Sequence, residues 1–244
     1  MIDWLRGASA RAALDPEIDL GGKPVPIVLK RLHNARRLTL RLAPDGSEVR
    51  ITLPAWAEGR EAIAFAHARK GWLAEQMAKL PRRAAPEPGG EVRYRGRTLR
   101  LEWDPRAPRR PALVEEGLRL GGPQSGLEGR VRRWLEAEAL ALAEADMEDY
   151  CAAAGLAPVP IGLTRAQRRW GSCSDRSRIR INWRLVQAPD FVRRSVVAHE
   201  VAHLVHFDHS PAFHALLGRI FEGDIRAADR WLKEHGRGLY ASFG

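Results

Sequence analysis

Two histidines and a glutamate inside an otherwise apolar run set the tightest limit on how this chain can fold: His199-Glu200-Val201-Ala202-His203, within residues 196–207. Val196, Val197, Ala198, Val201, Ala202, Leu204 and Val205 make most neighbouring positions apolar, so the segment reads as a buried helix. Two imidazoles four residues apart on a helix are about 6 Å apart along its axis and leave from nearly the same face. Burying them with a glutamate is costly unless they find partners, and one metal ion removes that objection. Glu200 is next to the first imidazole but rotated around the helix, so its carboxylate can stand beside a metal and take a proton from water. The pattern predicts two ligands and a base.

A hydrolytic metal site needs a third protein ligand and one open position. His206, His209, His214 and Asp208 compete for the role. On an unbroken helix His206 would be about 10 Å along the axis from His199, too far for one ion. His209 follows the expected helix end and precedes Ser210-Pro211, where proline can open a new helix and the chain can turn back. It also lies six residues after His203, the spacing by which HExxHxxGxxH sequences place a third histidine; His206 takes the glycine position, so the turn must differ. We expect His209 as the third ligand of one Zn2+ ion, with His214 as second choice and a carboxylate as third. Asp190, Asp208, Asp224 and Asp229 are candidates to orient a ligand histidine through its other ring nitrogen.

The rest of the chain reads as α+β. Residues 1–20 form an N-terminal tail, and 21–120 a mostly antiparallel β region with one helix. The strands fall at 26–30, 38–42 and 49–53, with Pro44-Asp45-Gly46 as a hairpin turn. Residues 58–79 have the spacing of an amphipathic helix, with Trp72 and Leu73 on its apolar face, and the Pro- and Gly-rich stretch 81–90 interrupts the pattern. Tyr94-Arg95-Gly96-Arg97-Thr98 predicts a hairpin within 92–103, and 112–120 a further strand. After a joint at 121–126, residues 127–154 carry one long helix ended by Gly155 and Pro158. Strands are expected at 161–163 and 178–185. In the second, Ile179, Ile181, Trp183 and Leu185 alternate with Arg178, Arg180, Asn182 and Arg184, an edge to which an extended peptide could add. Arg165, Arg168 and Arg169, beside Trp170-Gly171-Ser172, form a basic cluster which, with Arg178, Arg180 and Asn182, could bind substrate. It could meet charge on a tetrahedral oxyanion or on phosphate.

Composition narrows the setting. No run approaches the roughly 20 apolar residues a membrane span needs, and residues 1–14 are too polar for a signal peptide, so a soluble cytoplasmic protein with no membrane partner is expected. Only Cys151 and Cys173 are present, without a CxxC pair, which fits a reducing compartment and argues against thiolate ligation. Thirty-five arginines and five lysines give a net charge of +10, so a nucleotide or nucleic-acid partner is conceivable. The arginines are scattered, however, and no helix-turn-helix, zinc-finger or RNP motif accompanies them. Nothing in the pattern fixes an oligomeric state.

Arg169-Trp170-Gly171-Ser172-Cys173-Ser174, then 178–185, the His199–His203 motif and His209-Ser210-Pro211-Ala212-Phe213 together resemble the YgjP-like metallopeptidase family, relatives of the SprT and WLM domains and of minigluzincin-like peptidases. The resemblance covers most of the chain and extends to Lys70-Gly71-Trp72-Leu73. It implies a zincin-like domain over 127–244, zinc on His199, His203 and His209, and Glu200 as general base in hydrolysis of a peptide or protein substrate. Asp208 stands where that family usually has Asn, and His214 where an aromatic usually follows the Phe. Two other readings keep the metal: a nucleoside triphosphate pyrophosphatase or phosphohydrolase that uses the arginines, and a nucleic-acid-binding module with structural zinc.

Overall fold

Alternation along three short strands builds the first sheet in the computed structural model, which describes residues 16–80 and 85–243. Ile18 in β1 (Glu17–Asp19), Val25 and Ile27 in β2 (Pro24–Leu32), and Val49, Ile51 and Leu53 in β4 (Val49–Pro54) all point into one core. β3 (Thr39–Leu42) completes the order β1-β2-β4-β3. The first part of the expected tail, residues 1–15, lies outside the described residues; the rest of it supplies β1.

Two details of this first unit depart from the sequence reading. The sheet is mixed, because β2 pairs parallel with β4 while β3 joins β4 antiparallel through the turn at Gly46. β4, the more buried strand, lies between β2 and β3, and the partly exposed β3 is left at the edge. The expected single helix is two, α1 (Gly59–Ala68) and α2 (Lys70–Ala78), broken where Arg69 leaves helical geometry at φ −105° and ψ 15°. Gly71, a poor helix former, sits just past the break. Ala62, Ala66 and Leu73 enter the core, whereas Trp72 is exposed.

The chain divides into compact units at Pro81, so the strands of 91–120 belong with the residues that follow them rather than with 21–80. β5 (Glu91–Tyr94) and β6 (Arg97–Trp103) form the expected hairpin, turned by Arg95 and Gly96, both at positive φ. The segment 112–120 is two strands, β7 (Ala112–Val114) and β8 (Gly117–Leu120), in a sheet of order β5-β6-β8-β7. Here again one pair, β6 with β8, is parallel.

α3 (Leu127–Ala154) runs 28 residues and stops at Gly155, whose φ of 72° favours glycine. Leu127, Val131, Leu135 and Ala139 pack on the β5–β8 sheet, while Ala143, Met147, Tyr150 and Cys151 belong to a second core. That core is shared with α4 (Asp190–Ala202), α5 (Pro211–Ile220) and a sheet of order β10-β11-β9: β9 (Ile161–Thr164), β10 (Gly171–Cys173) and β11 (Ile179–Asn182). α6 (Ile225–His235) follows α5. α3 and α4 are also joined by charge: Arg193, 3% exposed, donates to Asp146 at 2.7 Å, and Arg194 reaches the same carboxylate at 2.9 Å.

The expected strand 178–185 ends at Asn182. A 3-10 turn over Trp183–Gln187 follows, so alternation fails and all five of its residues are buried. Asn182, expected to face outward to substrate, is fully buried: its side chain accepts from the Arg184 amide and donates to the Ala166 carbonyl at 2.7 Å. Arg184 also turns inward, between the rings of Trp183 and Tyr240, and donates to the Phe243 carbonyl. β11 has neighbours on both sides, so it is not an edge; the open edge beside α4 is β10.

Candidate metal centre

α4 buries Val192, Val197, Ala198, Val201 and Ala202, and this fixes the rotation of the helix and hence where its histidines point. His203 falls on the C-cap but keeps helical geometry, its amide donating to the His199 carbonyl, so the two imidazoles share a face. Their Nε2 atoms are 3.1 Å apart. The chain then turns without any residue at positive φ: the amides of Leu204, Val205 and His206 donate to the carbonyls of Val201 and Ala202. This tight turn replaces the left-handed residue that a glycine at position 206 would supply.

His209 returns on the far side of that turn, with Nε2 3.3 Å from Nε2 of His199. Its position is fixed on both flanks. The Asp208 carboxylate accepts from the Ser210 amide, and the Ser210 hydroxyl caps α5 by accepting from the Phe213 amide, with Pro211 in the first turn. Phe213, fully buried, packs against all three imidazoles at centroid distances of 5.0 Å (His199), 4.6 Å (His203) and 4.9 Å (His209). His214, the second choice, lies outside the cluster: its ring is 5.3 Å from that of Phe213 and 6.3 Å from that of His209. Asp208 points its charge to the turn.

The three side chains fit a divalent cation. One ligand atom from each of His199, His203 and His209 lies within 4.8 Å of the others. A tetrahedral ion about 2.0–2.1 Å from each nitrogen would space them roughly 3.3–3.4 Å apart, close to the 3.1 and 3.3 Å observed. Protons alone serve the cluster poorly, since a proton on Nε2 of His199 can be directed at only one of its two neighbours. Nδ1 of His203 faces the His206 carbonyl at 2.9 Å, which assigns the proton to Nδ1 and leaves the Nε2 lone pair free. A backbone oxygen thus does the orienting expected of an aspartate. Asp190 instead binds Arg95 and Arg193, and Asp224 caps α6. Burial, reinforced by the other three histidines, pushes His199 down to about 4, so it is neutral near pH 7, as a ligand must be.

Glu200 is 6% exposed and lies against β10. Its carboxylate receives the Cys173 amide and feels the charge of Arg169, yet burial outweighs both and pushes it up to about 7. That is the range in which a carboxylate works as a base near neutral pH. Gly171 makes the arrangement possible: a Cβ there would meet the Glu200 side chain, 2.7 Å from Cγ and 2.9 Å from Cδ. The sequence places Gly171 beside the basic cluster without a role of its own, and no strand was expected there, although a glycine in a strand is a signal of close approach.

The basic candidates part company. Arg165 is tied to Glu136 on α3 at 2.8 Å, and Arg168 is exposed and makes no ion pair among the described residues. Arg169, Arg178 and Arg180 do come together, with Arg176, along one groove on the β10–β11 hairpin.

An α+β domain whose buried helix carries HExxH, backed by a long helix and completed by a third imidazole from the following loop, has the architecture of a zincin-like metallopeptidase domain. The chain belongs to the YgjP-like metallopeptidase-domain family, which it matches over residues 36–235. No curated protein and no solved structure matches it. No described helix is long and apolar enough to cross a membrane.

Proposed function

We propose that the chain is a zinc-dependent peptidase that hydrolyses peptide bonds with Glu200 as general base. The observation that carries this reading is the convergence of His199, His203 and His209 beside a buried carboxylate, in a chain of a metallopeptidase family. A bound zinc ion supplies Lewis acidity, which polarises a carbonyl and acidifies water. The chain's own groups do the rest. His199, His203 and His209 would hold the ion. Glu200, set against the Gly171 backbone and ionisable near neutrality, takes a proton from the attacking water and returns it to the departing amine nitrogen.

The free edge of β10 supports a peptide rather than another hydrolysable ligand. The Cys173 amide is taken by Glu200, but no described strand covers this side of β10, and an extended chain can pair with its remaining main-chain groups regardless of its side chains. The test is peptide cleavage by the zinc-loaded full chain and by Glu200→Gln. The variant is expected to keep one zinc and lose hydrolysis by about 10²–10⁴-fold, whereas His203→Ala loses both. Full turnover in either variant contradicts the proposal.

A further inference from the structure

Four arginines share one groove without a counterion in contact. Arg169, Arg176, Arg178 and Arg180, with Ser172 and Asp175, line a cavity of about 460 Å³ on the β10–β11 hairpin. None of the four makes an ion pair among the described residues, and the groove's own acid is Asp175. Elsewhere in the same unit several arginines are matched: Arg165 to Glu136, Arg193 to Asp146 and Asp190, Arg194 to Asp146 and Glu222. Gathering like charges in one concavity opposes itself and raises the local concentration of anions.

Strand register places the groove relative to the site. Gly171 pairs with Ile181, Ser172 with Arg180 and Cys173 with Ile179. Ile179 and Ile181 are buried, and Gly171 lies against Glu200, so this set faces the core. Ser172, Arg178 and Arg180 face the other way. A peptide paired to the free edge of β10 alternates in the same manner, so its residue beside Ser172 sends its side chain over the arginine face. That residue is a neighbour, about 3.3 Å along the strand, of the one aligned with Gly171 and Glu200.

We propose that this groove is a side-chain subsite for an acidic residue, aspartate or glutamate, of a peptide bound along β10. It rests on the peptidase reading and names its substrate class. The lining favours a carboxylate over a nucleic acid: it contains no aromatic side chain on which a base could stack.

The test walks a single Glu, paired with Gln at the same place, through each position of a quenched fluorescent peptide. kcat/KM is measured for the zinc-loaded chain, Arg178→Gln/Arg180→Gln and Arg180→Glu. At one position Glu should exceed Gln by about ten-fold, the equivalent of two or three exposed charge pairs. The double variant should bring that ratio close to one, and Arg180→Glu should favour Lys there, a reversal that misfolding cannot produce. Anisotropy with the labelled Glu and Gln peptides on Glu200→Gln, with and without the two arginine changes, reads binding apart from turnover. Arginine-dependent binding of the Glu peptide without cleavage by the unaltered chain would sink the peptidase reading and keep the acidic site. Cleavage with no Glu preference, or a preference that survives the double variant, overturns the proposal. So does arginine-dependent binding of a single-stranded oligonucleotide with none of the Glu peptide.

Discussion

A Cβ on Gly171 would stand 2.7 Å from Cγ of Glu200, so the edge strand and the buried carboxylate occupy adjoining space that only glycine leaves open. The Glu200 side chain is wedged between the Gly171 backbone and α4, and this, with the Cys173 amide, sets its direction. Gly171→Ala is therefore expected to displace the carboxylate while leaving the three imidazoles in place. Activity should fall by at least about ten-fold, approaching the 10²–10⁴-fold worth of a general base, with zinc content unchanged. Steady-state kinetics beside metal analysis checks it, and an alanine variant of full activity would contradict it.

Asp146 holds the charge of α4. Arg193 is 3% exposed and Arg194 leans on the same carboxylate, so Asp146→Ala leaves the buried guanidinium with Asp190 as its remaining carboxylate. A loss of about 1.5–3 kcal/mol in denaturant unfolding is expected. Asp149→Ala, at an exposed partner of Arg194, should lose less than about 1 kcal/mol. Equal effects would contradict the assignment of Asp146 as the clamp between α3 and α4.

Metal-free stability has a pH dependence set by two adjacent residues of opposite sign. Glu200, raised from 4.5 to about 7, keeps its proton in the folded chain when the unfolded chain has lost it; this contribution is complete below pH 4.5 and is lost as pH rises through 7. His199, lowered from 6.5 to about 4, works the other way: its contribution is present above pH 6.5 and is lost as pH falls through 4. Between pH 4.5 and 6.5 the two oppose each other. Glu200→Gln removes the falling component, so the stability of the metal-free variant should climb more steeply across that window than that of the unaltered chain. Chemical unfolding in chelator at a series of pH values measures the slopes, and identical slopes would contradict the shifts.

Local signals carried the sequence reading far where they acted alone. The long apolar spacing of α3 and the stop at Gly155 were readable as 127–154, and the hairpin at Arg95-Gly96 followed from its turn residues. The histidines at 199, 203 and 209 could be grouped because helix period and a Ser-Pro start bring them to one place. What stayed hidden depends on partners distant in sequence. Parallel pairing of β2 with β4 and of β6 with β8 joins strands that are not neighbours in sequence, and alternation within either does not reveal it. Asn182 and Arg184 kept the polar beat of a strand, yet they turn inward because the Ala166 and Phe243 carbonyls await them. Phe213 reads as an ordinary helix apolar residue until its ring lies beside three imidazoles, and the His206 carbonyl leaves no trace in a side-chain pattern.

We propose that three imidazoles grip one ion, and His209 is the member supplied by the loop rather than by α4. Metal analysis by mass spectrometry on the purified chain and on His209→Ala tests it most directly. One zinc per chain, lost or bound far more weakly in the variant while the fold survives by circular dichroism, is the expected result. A chain that takes up no zinc, or a variant that holds zinc as tightly as the unaltered protein, would contradict the account.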